Sequence, residues 1–385
     1  MQLRSSLVIL AAVAAVVLPA QTYRTQNLVL VTADGLRWQE VFRGAEQRLL
    51  ADDDAGMKDA EVVRERFDAP SADERRQRLM PFLWNVVARQ GSLFGNRDKG
   101  SEVVLKNRHR FSYPGYSEIL TGRPQDDVID SNDLRPNPAP TVLEILRRAW
   151  NLPREKVAVF GSWEVFLGIG AHQPDSVFIN AGFRPLKLPG ASARLLELSR
   201  QQFELLTPWR SVRHDFITFE MALEYLRTMK PRVLHVALGE TDDWAHDRRY
   251  DRYLETAHYF DRCLRRLWEA LQADPQYQGR TTMLVTSDHG RGSERDDWTR
   301  HGAKVEGAQY VWLSTLGPDT AALGEAGADG RLTLSDVAPT MLELAGVHYR
   351  ELAGVEGKPV RQILRPGDRG PRARANQRRS PTDTP

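Results

Sequence analysis

One cysteine in 385 residues, Cys263, leaves no partner for an internal disulfide and no set of thiolates for a zinc or iron–sulfur cluster. Core packing, aided by bound metal, must carry the stability instead. Cys263 falls inside the helical pattern YLETAHYFDRCLRRLWEAL and reads as a helix residue rather than a nucleophile. An excess of one charge is missing too. The 53 Lys and Arg against 51 Asp and Glu leave +2, which gives no nucleic-acid footprint over the chain as a whole. Any selectivity for anions must therefore be local. Long apolar runs are absent after the first twenty residues, MQLRSSLVILAAVAAVVLPA. That stretch has an early arginine and an Ala/Val-rich centre, and it reads as a secretory signal over residues 1–20. The competing reading, an uncleaved anchor, needs about 20 apolar residues to span a bilayer, which the run hardly reaches. A periplasmic or secreted protein without a stable membrane anchor is expected.

What the chain has in plenty is alternation. Apolar strand patterns alternate with amphipathic helical ones from LVLVTADG (28–35), through KVAVFGSW (156–163) and RVLHVALGETDDWAH (232–246), to TTMLVTSDHGRG (281–292). This predicts an α/β fold with a mainly parallel central sheet and helices on both faces. We read residues 26–365 as a single catalytic domain. Within it, residues 45–80 form a charged insertion that could act as a lid. Residues 366–385 are basic, Pro-rich and aperiodic, the composition of a disordered tail.

Three of these strands end in the same chemistry. In an open parallel sheet the carboxyl ends of the strands face one crevice, so side chains from distant segments can meet there. Asp34 ends the first strand, Asp242 and His246 follow the strand at 232, and Asp288 and His289 end the strand at 281. An Asp at a strand end is often only a helix cap, but three such ends form a pattern. Asp242 and His246 are four apart, on one helical face, and His301 adds a third ligand. Asp34, Asp288 and His289 make a second set. Carboxylate with imidazole suits Zn²⁺ and also Mn²⁺ or Fe²⁺, and two such ions could hold the attacking and leaving oxygens of an in-line displacement.

Ser112 lies in FSYPGYSEILTG, ahead of a helix whose first position is predicted at Pro114. The simplest role for such a serine is an N-cap. Beside two dications its hydroxyl would instead become a nucleophile without a histidine base. His109 and His214 show no spacing that suggests a Ser/His/Asp triad. Trp163 is expected in the core, with the wall of a pocket as the alternative.

The ordered set TADG, FSYPGYSEILTG, GETDDWAH, TSDHG and a later HG, closed by SDVAPTMLELAGV, resembles the alkaline phosphatase superfamily over roughly residues 26–350. It looks closest to the branch of nucleotide pyrophosphatase/phosphodiesterases and bacterial metalloenzyme relatives. The resemblance implies that Asp34, Asp288 and His289 hold one metal, and Asp242, His246 and His301 the other. It also implies that Ser112 is the nucleophile, itself a metal ligand, and that Asn132 contacts a phosphoryl oxygen. Two departures stand out: Ser-Tyr-Pro-Gly replaces the branch's Thr-Phe-Pro-Asn, and Tyr116 stands where a sulfatase motif has arginine.

The implied function is an exported two-metal hydrolase acting on a small-molecule phosphate ester through a phosphoseryl intermediate, with a diester substrate first. The alternatives are a monoesterase or sulfatase of the same superfamily, a phosphoglycerate mutase-like phosphotransferase, and a binding protein that keeps the fold without the activity.

Overall fold

The computed structural model describes residues 23–327 and 331–365. The signal expected at 1–20 and the tail expected at 366–385 lie outside the described residues. Among the described residues no helix is long and apolar enough to cross a membrane.

The strands are β1 (Asn27–Ala33), β2 (Ser92–Phe94), β3 (Val103–Val104), β4 (Val157–Gly161), β5 (Phe178–Ala181), β6 (Val233–Leu238), β7 (Thr281–Ser287), β8 (Tyr310–Val311), β9 (Leu313–Leu316), β10 (Gly324–Glu325) and β11 (Leu332–Thr333). Eight of them form one sheet in the order β10-β2-β9-β7-β1-β6-β4-β5, and β11-β3-β8 form a small second sheet. From β7 to β5 every neighbouring pair is parallel, whereas β9 runs antiparallel to both β7 and β2. The mainly parallel sheet expected from the sequence is present.

Every residue of β1, β6 and β7 is buried, which is why these segments read as continuous apolar runs rather than alternating ones. Successive side chains enter opposite layers. Val29, Val31, Leu234, Val236, Met283 and Val285 join one core; Leu28, Leu30, Val233 and Leu284 join the other. The helix Tyr250–Ala273 covers the first face through Leu254, Ala257 and Leu264, and the helices Ser112–Thr121 and Val142–Ala149 cover the second through Ile119, Leu120, Leu143 and Leu146. The result is a three-layer α/β/α sandwich. The charged segment 45–80 contributes the helices Gln47–Leu50, Ala60–Phe67 and Ala72–Leu79, with Val63, Phe67 and Leu79 buried in the first core.

Register explains why the chemistry converges. Ala33 pairs with Leu238 on one side and Ser287 on the other, so Asp34, Gly239 and Asp288 leave the sheet level with one another. The helix carrying Ser112 approaches that edge from the second face. It begins at Ser112, so Pro114 occupies its third position rather than the expected first. Proline is tolerated there because the first-turn N–H groups have no partner inside the helix. Phe111 is the N-cap, without a side-chain capping bond. Ser112 is therefore not spent on capping.

Gly115 lets this helix touch the β7 end. A Cβ at that position would lie 2.2 Å from the Asp288 carbonyl oxygen. Gly115→Ala is expected to cost about 1–3 kcal/mol through overpacking and to displace Ser112 from Asp288, lowering both the melting temperature and turnover. Thermal denaturation alongside a rate measurement checks this; a variant that melts and turns over like the parent would contradict the close approach.

Candidate metal centre

Three elements of the sheet deliver the acidic edge. Asp34 follows β1, Asp288 and His289 follow β7, and Asp242 and His246 lie in the helix Glu240–His246 directly after β6. His301 comes from the loop between β7 and β8. Ligand atoms of Asp34, Asp288 and His289 all lie within 4.8 Å of one another, and so do those of Asp242, His246 and His301. The two sets assembled from strand ends and helical spacing are thus brought together as two clusters.

The first cluster is buried. His289 Nε2 is 3.3 Å from Asp34 Oδ1 and 3.5 Å from Asp288 Oδ2. The second opens outward, with the His246 side chain 49% exposed. Asp242 joins them: one carboxylate oxygen lies 3.6 Å from His289 Nε2 and the other 3.2 Å from His246 Nε2. The His289 and His301 rings stack at 4.1 Å, and His301 Nε2 is 2.9 Å from His246 Nε2. Burial, reinforced by neighbouring acids, holds the Asp34 and Asp288 carboxyls well above the usual range.

Divalent cations fit this donor set. Asp34 Oδ1 and Asp288 Oδ2 are buried without a hydrogen-bond partner, and an orphaned carboxylate oxygen is costly unless a cation meets it. All the ligands are oxygen or imidazole nitrogen, a mixture that suits Zn²⁺, Mn²⁺ and Fe²⁺.

Around the clusters lie residues that strand-end reasoning did not reach. Arg291 is fully buried and donates to the Asp242 carboxylate, the Asp242 main-chain oxygen (3.0 Å), Gly35 O (3.2 Å) and Thr299 O (2.6 Å). Burial pushes Asp242 up, but Arg291 and then His246 bring it well below the usual carboxylate range. The Gly35 N–H donates to Asp288 Oδ1 at 3.0 Å, and the Tyr116 hydroxyl donates to Asp34 Oδ2 at 3.2 Å. The Gly-Arg-Gly after Asp288 and His289 was visible in the sequence; where its guanidinium turns was not.

Ser112 is buried beside the first cluster, its Oγ 3.4 Å from His289 Nε2. Asn132 Oδ1 accepts from the Tyr113 N–H at 3.0 Å, which leaves the amide NH₂ of Asn132 without a protein partner. Both residues line a cleft of about 180 Å³ together with Asp34 and Asp242. Trp163, Trp209 and Asp243 line the same cleft. Trp163 is half-buried: it packs against the second core as expected and also lines the cleft, and its main chain bridges to Val212. Asp243 was not anticipated; burial and then the nearby Asp242 and Asp34 push its carboxyl up to about 9. Among the described residues, none of 45–80 lines the cleft, and neither does any Lys or Arg. Arg37 is buried against Glu40 and Glu46, and Lys106 pairs with Glu356. His109 reaches Asp126 O and His214 reaches Glu240, so neither serves Ser112.

Chelator dialysis should lower the melting temperature, and Zn²⁺ or Mn²⁺ should restore it. One site loaded at a hundredfold excess over its Kd adds about 2.7 kcal/mol. Asp242→Asn should lose more of this gain than His246→Gln, since Asp242 reaches both clusters. A melting temperature indifferent to metal would contradict the assignment.

Comparison with known proteins agrees with the geometry. Residues 214–349 match the Metalloenzyme superfamily, a stretch that contains Asp242, His246, Asp288, His289 and His301. The 2,3-bisphosphoglycerate-independent phosphoglycerate mutase of Haloarcula marismortui is 30% identical over 132 residues, 33% of this chain and 23% of the mutase. The chain thus matches less than a quarter of that relative's length. The crystal structure of wild-type alkaline phosphatase PafA superposes with a TM-score of 0.57 at 11% identity, over 89% of this chain and 99% of that one. Lipoteichoic acid synthase LtaP from Listeria monocytogenes gives 0.56 at 10% identity, over 88% and 76%. At such identities it is the fold that is shared. The chain has the fold of the alkaline phosphatase superfamily, and its C-terminal half contains the segment that matches the Metalloenzyme superfamily.

Proposed function

We propose that this chain is a metal-dependent hydrolase of phosphate esters in which Ser112 is the nucleophile. One observation carries the reading: Ser112 Oγ, free of capping duty, stands 3.4 Å from His289 and Ser112 lines the cleft that Asp34 and Asp242 also line. The metal ligands in this reading are Asp34, Asp288 and His289 on one side, and Asp242, His246 and His301 on the other, with Ser112 between them.

The Ser112 oxygen forms a bond to phosphorus as the bond from phosphorus to the leaving oxygen breaks, and the departing alcohol takes up a proton. Water then attacks the phosphoseryl group from the vacated side, releasing phosphate and returning the hydroxyl of Ser112. The Asn132 amide NH₂ donates to a nonbridging phosphoryl oxygen. Arg291, held by three carbonyls, keeps Asp242 ionised and fixed in place. Two divalent cations, when bound, would supply acidification of the Ser112 hydroxyl and neutralisation of the phosphoryl charge.

Support for the substrate divides. An alkaline phosphatase and a mutase are among the similar proteins, which weighs toward the phosphatase or phosphotransferase alternative over the diesterase first expected. A diester remains the second reading on a specific ground: a dianionic monoester would find no Lys or Arg among the described residues lining the cleft. Export to the periplasm or beyond, expected from residues 1–20, belongs to the same proposal.

Metal-loaded protein should hydrolyse nitrophenyl phosphate or bis-nitrophenyl phosphate, and Ser112→Ala should reduce the rate by on the order of 10³-fold or more. Preference for the monoester supports the phosphatase reading, and preference for the diester supports the second. Preference for nitrophenyl sulfate would replace the phosphate ester, transfer from phosphoglycerate without net phosphate release would replace hydrolysis, and equal rates in parent and variant would overturn Ser112.

A further inference from the structure

We infer that Asn107 is a positioning residue: by holding Arg110 in a left-handed backbone conformation, it fixes the nucleophile Ser112 and the metal ligand His301 through one stretch of main chain. The inference rests on the two-metal hydrolase reading and says how the nucleophile is kept in register with the second metal site.

Arg110 lies two residues before Ser112 and has a φ of 55°. In that region a Cβ crowds the following carbonyl oxygen, and residues other than glycine enter it rarely. Such a conformation persists only where the surroundings over-determine it. Here Asn107 does so: the Arg110 N–H donates to Asn107 Oδ1 at 2.8 Å, a side-chain bond that replaces a main-chain partner. Asn107 is buried and cannot turn away, because its own N–H and its amide NH₂ both donate to Glu118 Oε2, at 2.9 and 3.0 Å. Glu118 belongs to the helix that Ser112 begins, and the Ser335 hydroxyl donates to its other oxygen at 2.8 Å. A closed ring results. It runs from the helix through Glu118, Asn107 and Arg110, then by way of the extended Phe111 to the first residue of the same helix.

The same strained residue reaches the metal centre. His301 Nδ1 lies 3.3 Å from Arg110 O. A carbonyl oxygen can only accept, so Nδ1 carries the proton of the neutral ring and Nε2 keeps its lone pair, 2.9 Å from His246 Nε2 and 3.7 Å from Asp242 Oδ1. His289 is oriented by its own neighbour, its Nδ1 donating to Gly290 O at 2.9 Å. His301 instead depends on a residue 191 positions away in the chain. If Arg110 relaxed out of the left-handed region, its carbonyl would rotate away from His301 and the path into Ser112 would change with it. Ligand and nucleophile would be displaced together. The Arg110 guanidinium takes no part in this: its contact is with Val305 O at 3.5 Å.

Zinc titration of the full chain by calorimetry tests this, together with hydrolysis of nitrophenyl phosphate and bis-nitrophenyl phosphate at saturating zinc. Asn107→Ala should weaken the second zinc by about 10- to 100-fold, the range for losing an outer partner of a metal-bound histidine, and should lower kcat with KM little changed. Glycine enters the left-handed region freely, so Asn107→Ala/Arg110→Gly should recover both the second zinc and kcat. Asn107→Ala/Arg110→Ala loses the same guanidinium but keeps a Cβ, and it should not recover. A role confined to stability would lower the melting temperature of Asn107→Ala and leave both zinc affinities intact; that result, or equal behaviour of the two double variants, would overturn the inference. If Asn107→Ala does not fold, Arg110→Val is compared with Arg110→Gly: valine, which is branched at Cβ, should bind the second zinc more weakly, and equal affinities would overturn the inference. A parent that binds a single zinc overturns it along with the second metal site. A parent that binds two but hydrolyses neither ester sinks the hydrolase reading, and the titrations still decide the role of Asn107.

Discussion

Three carboxyl groups, Asp34, Asp242 and Asp288, are forced together at one edge of a buried parallel sheet with a single guanidinium among them, and much of the surrounding structure bears that charge. Like charges at such range in a protein interior are affordable only if a cation, a proton or a dense set of donors meets them. Arg291 meets Asp242, the Gly35 N–H and Tyr116 hydroxyl meet Asp288 and Asp34, and two carboxylate oxygens are left over. Those two oxygens, both in the cluster of Asp34, Asp288 and His289, mark where a divalent cation fits. The fold and the chemistry are thus one problem: the register that levels three strand ends also creates the unbalanced charge.

The loops carrying these acids are held by a second buried network behind them. The Tyr253 hydroxyl accepts from the Arg37 N–H at 3.0 Å and donates to Gly35 O at 3.4 Å, while Arg37 Nη1 donates to Gly292 O at 3.1 Å. Arg37 is in turn paired with Glu40 and Glu46, and Tyr250 donates to Glu40 at 3.0 Å. The loops after β1 and β7 are therefore clamped to the long helix Tyr250–Ala273 and to each other. Preorganisation of this kind lets a site aim its groups without moving them during reaction. The cleft above is lined by Ser112, Asp34 and Asp242 together with two indoles and the Asp243 carboxyl.

Much of this was legible in the sequence, for a physical reason. Parallel strands buried on both faces must be continuous apolar runs, so β1, β6 and β7 announced themselves, and an acid or histidine at each end stood out against them. Helical spacing placed Asp242 and His246 on one face. Ser112 was harder, because a serine ahead of a helix serves equally well as a cap; only the helix start at Ser112 itself removes that role. Arg291 and Tyr116 were not recoverable, since their partners lie on segments far away in sequence. Trp163 meets both expectations, packing against the second core while lining the cleft, because an aromatic after a strand suits either place.

The central claim is that Ser112 stands between two metal sites with its oxygen aimed at phosphorus. Anomalous scattering from crystals grown with zinc and soaked in vanadate tests it most directly. The account predicts one zinc peak among Asp34, Asp288 and His289, a second among Asp242, His246 and His301, and vanadium bonded to Ser112 Oγ. A single peak shared by both clusters, or vanadium bound away from Ser112, would contradict it.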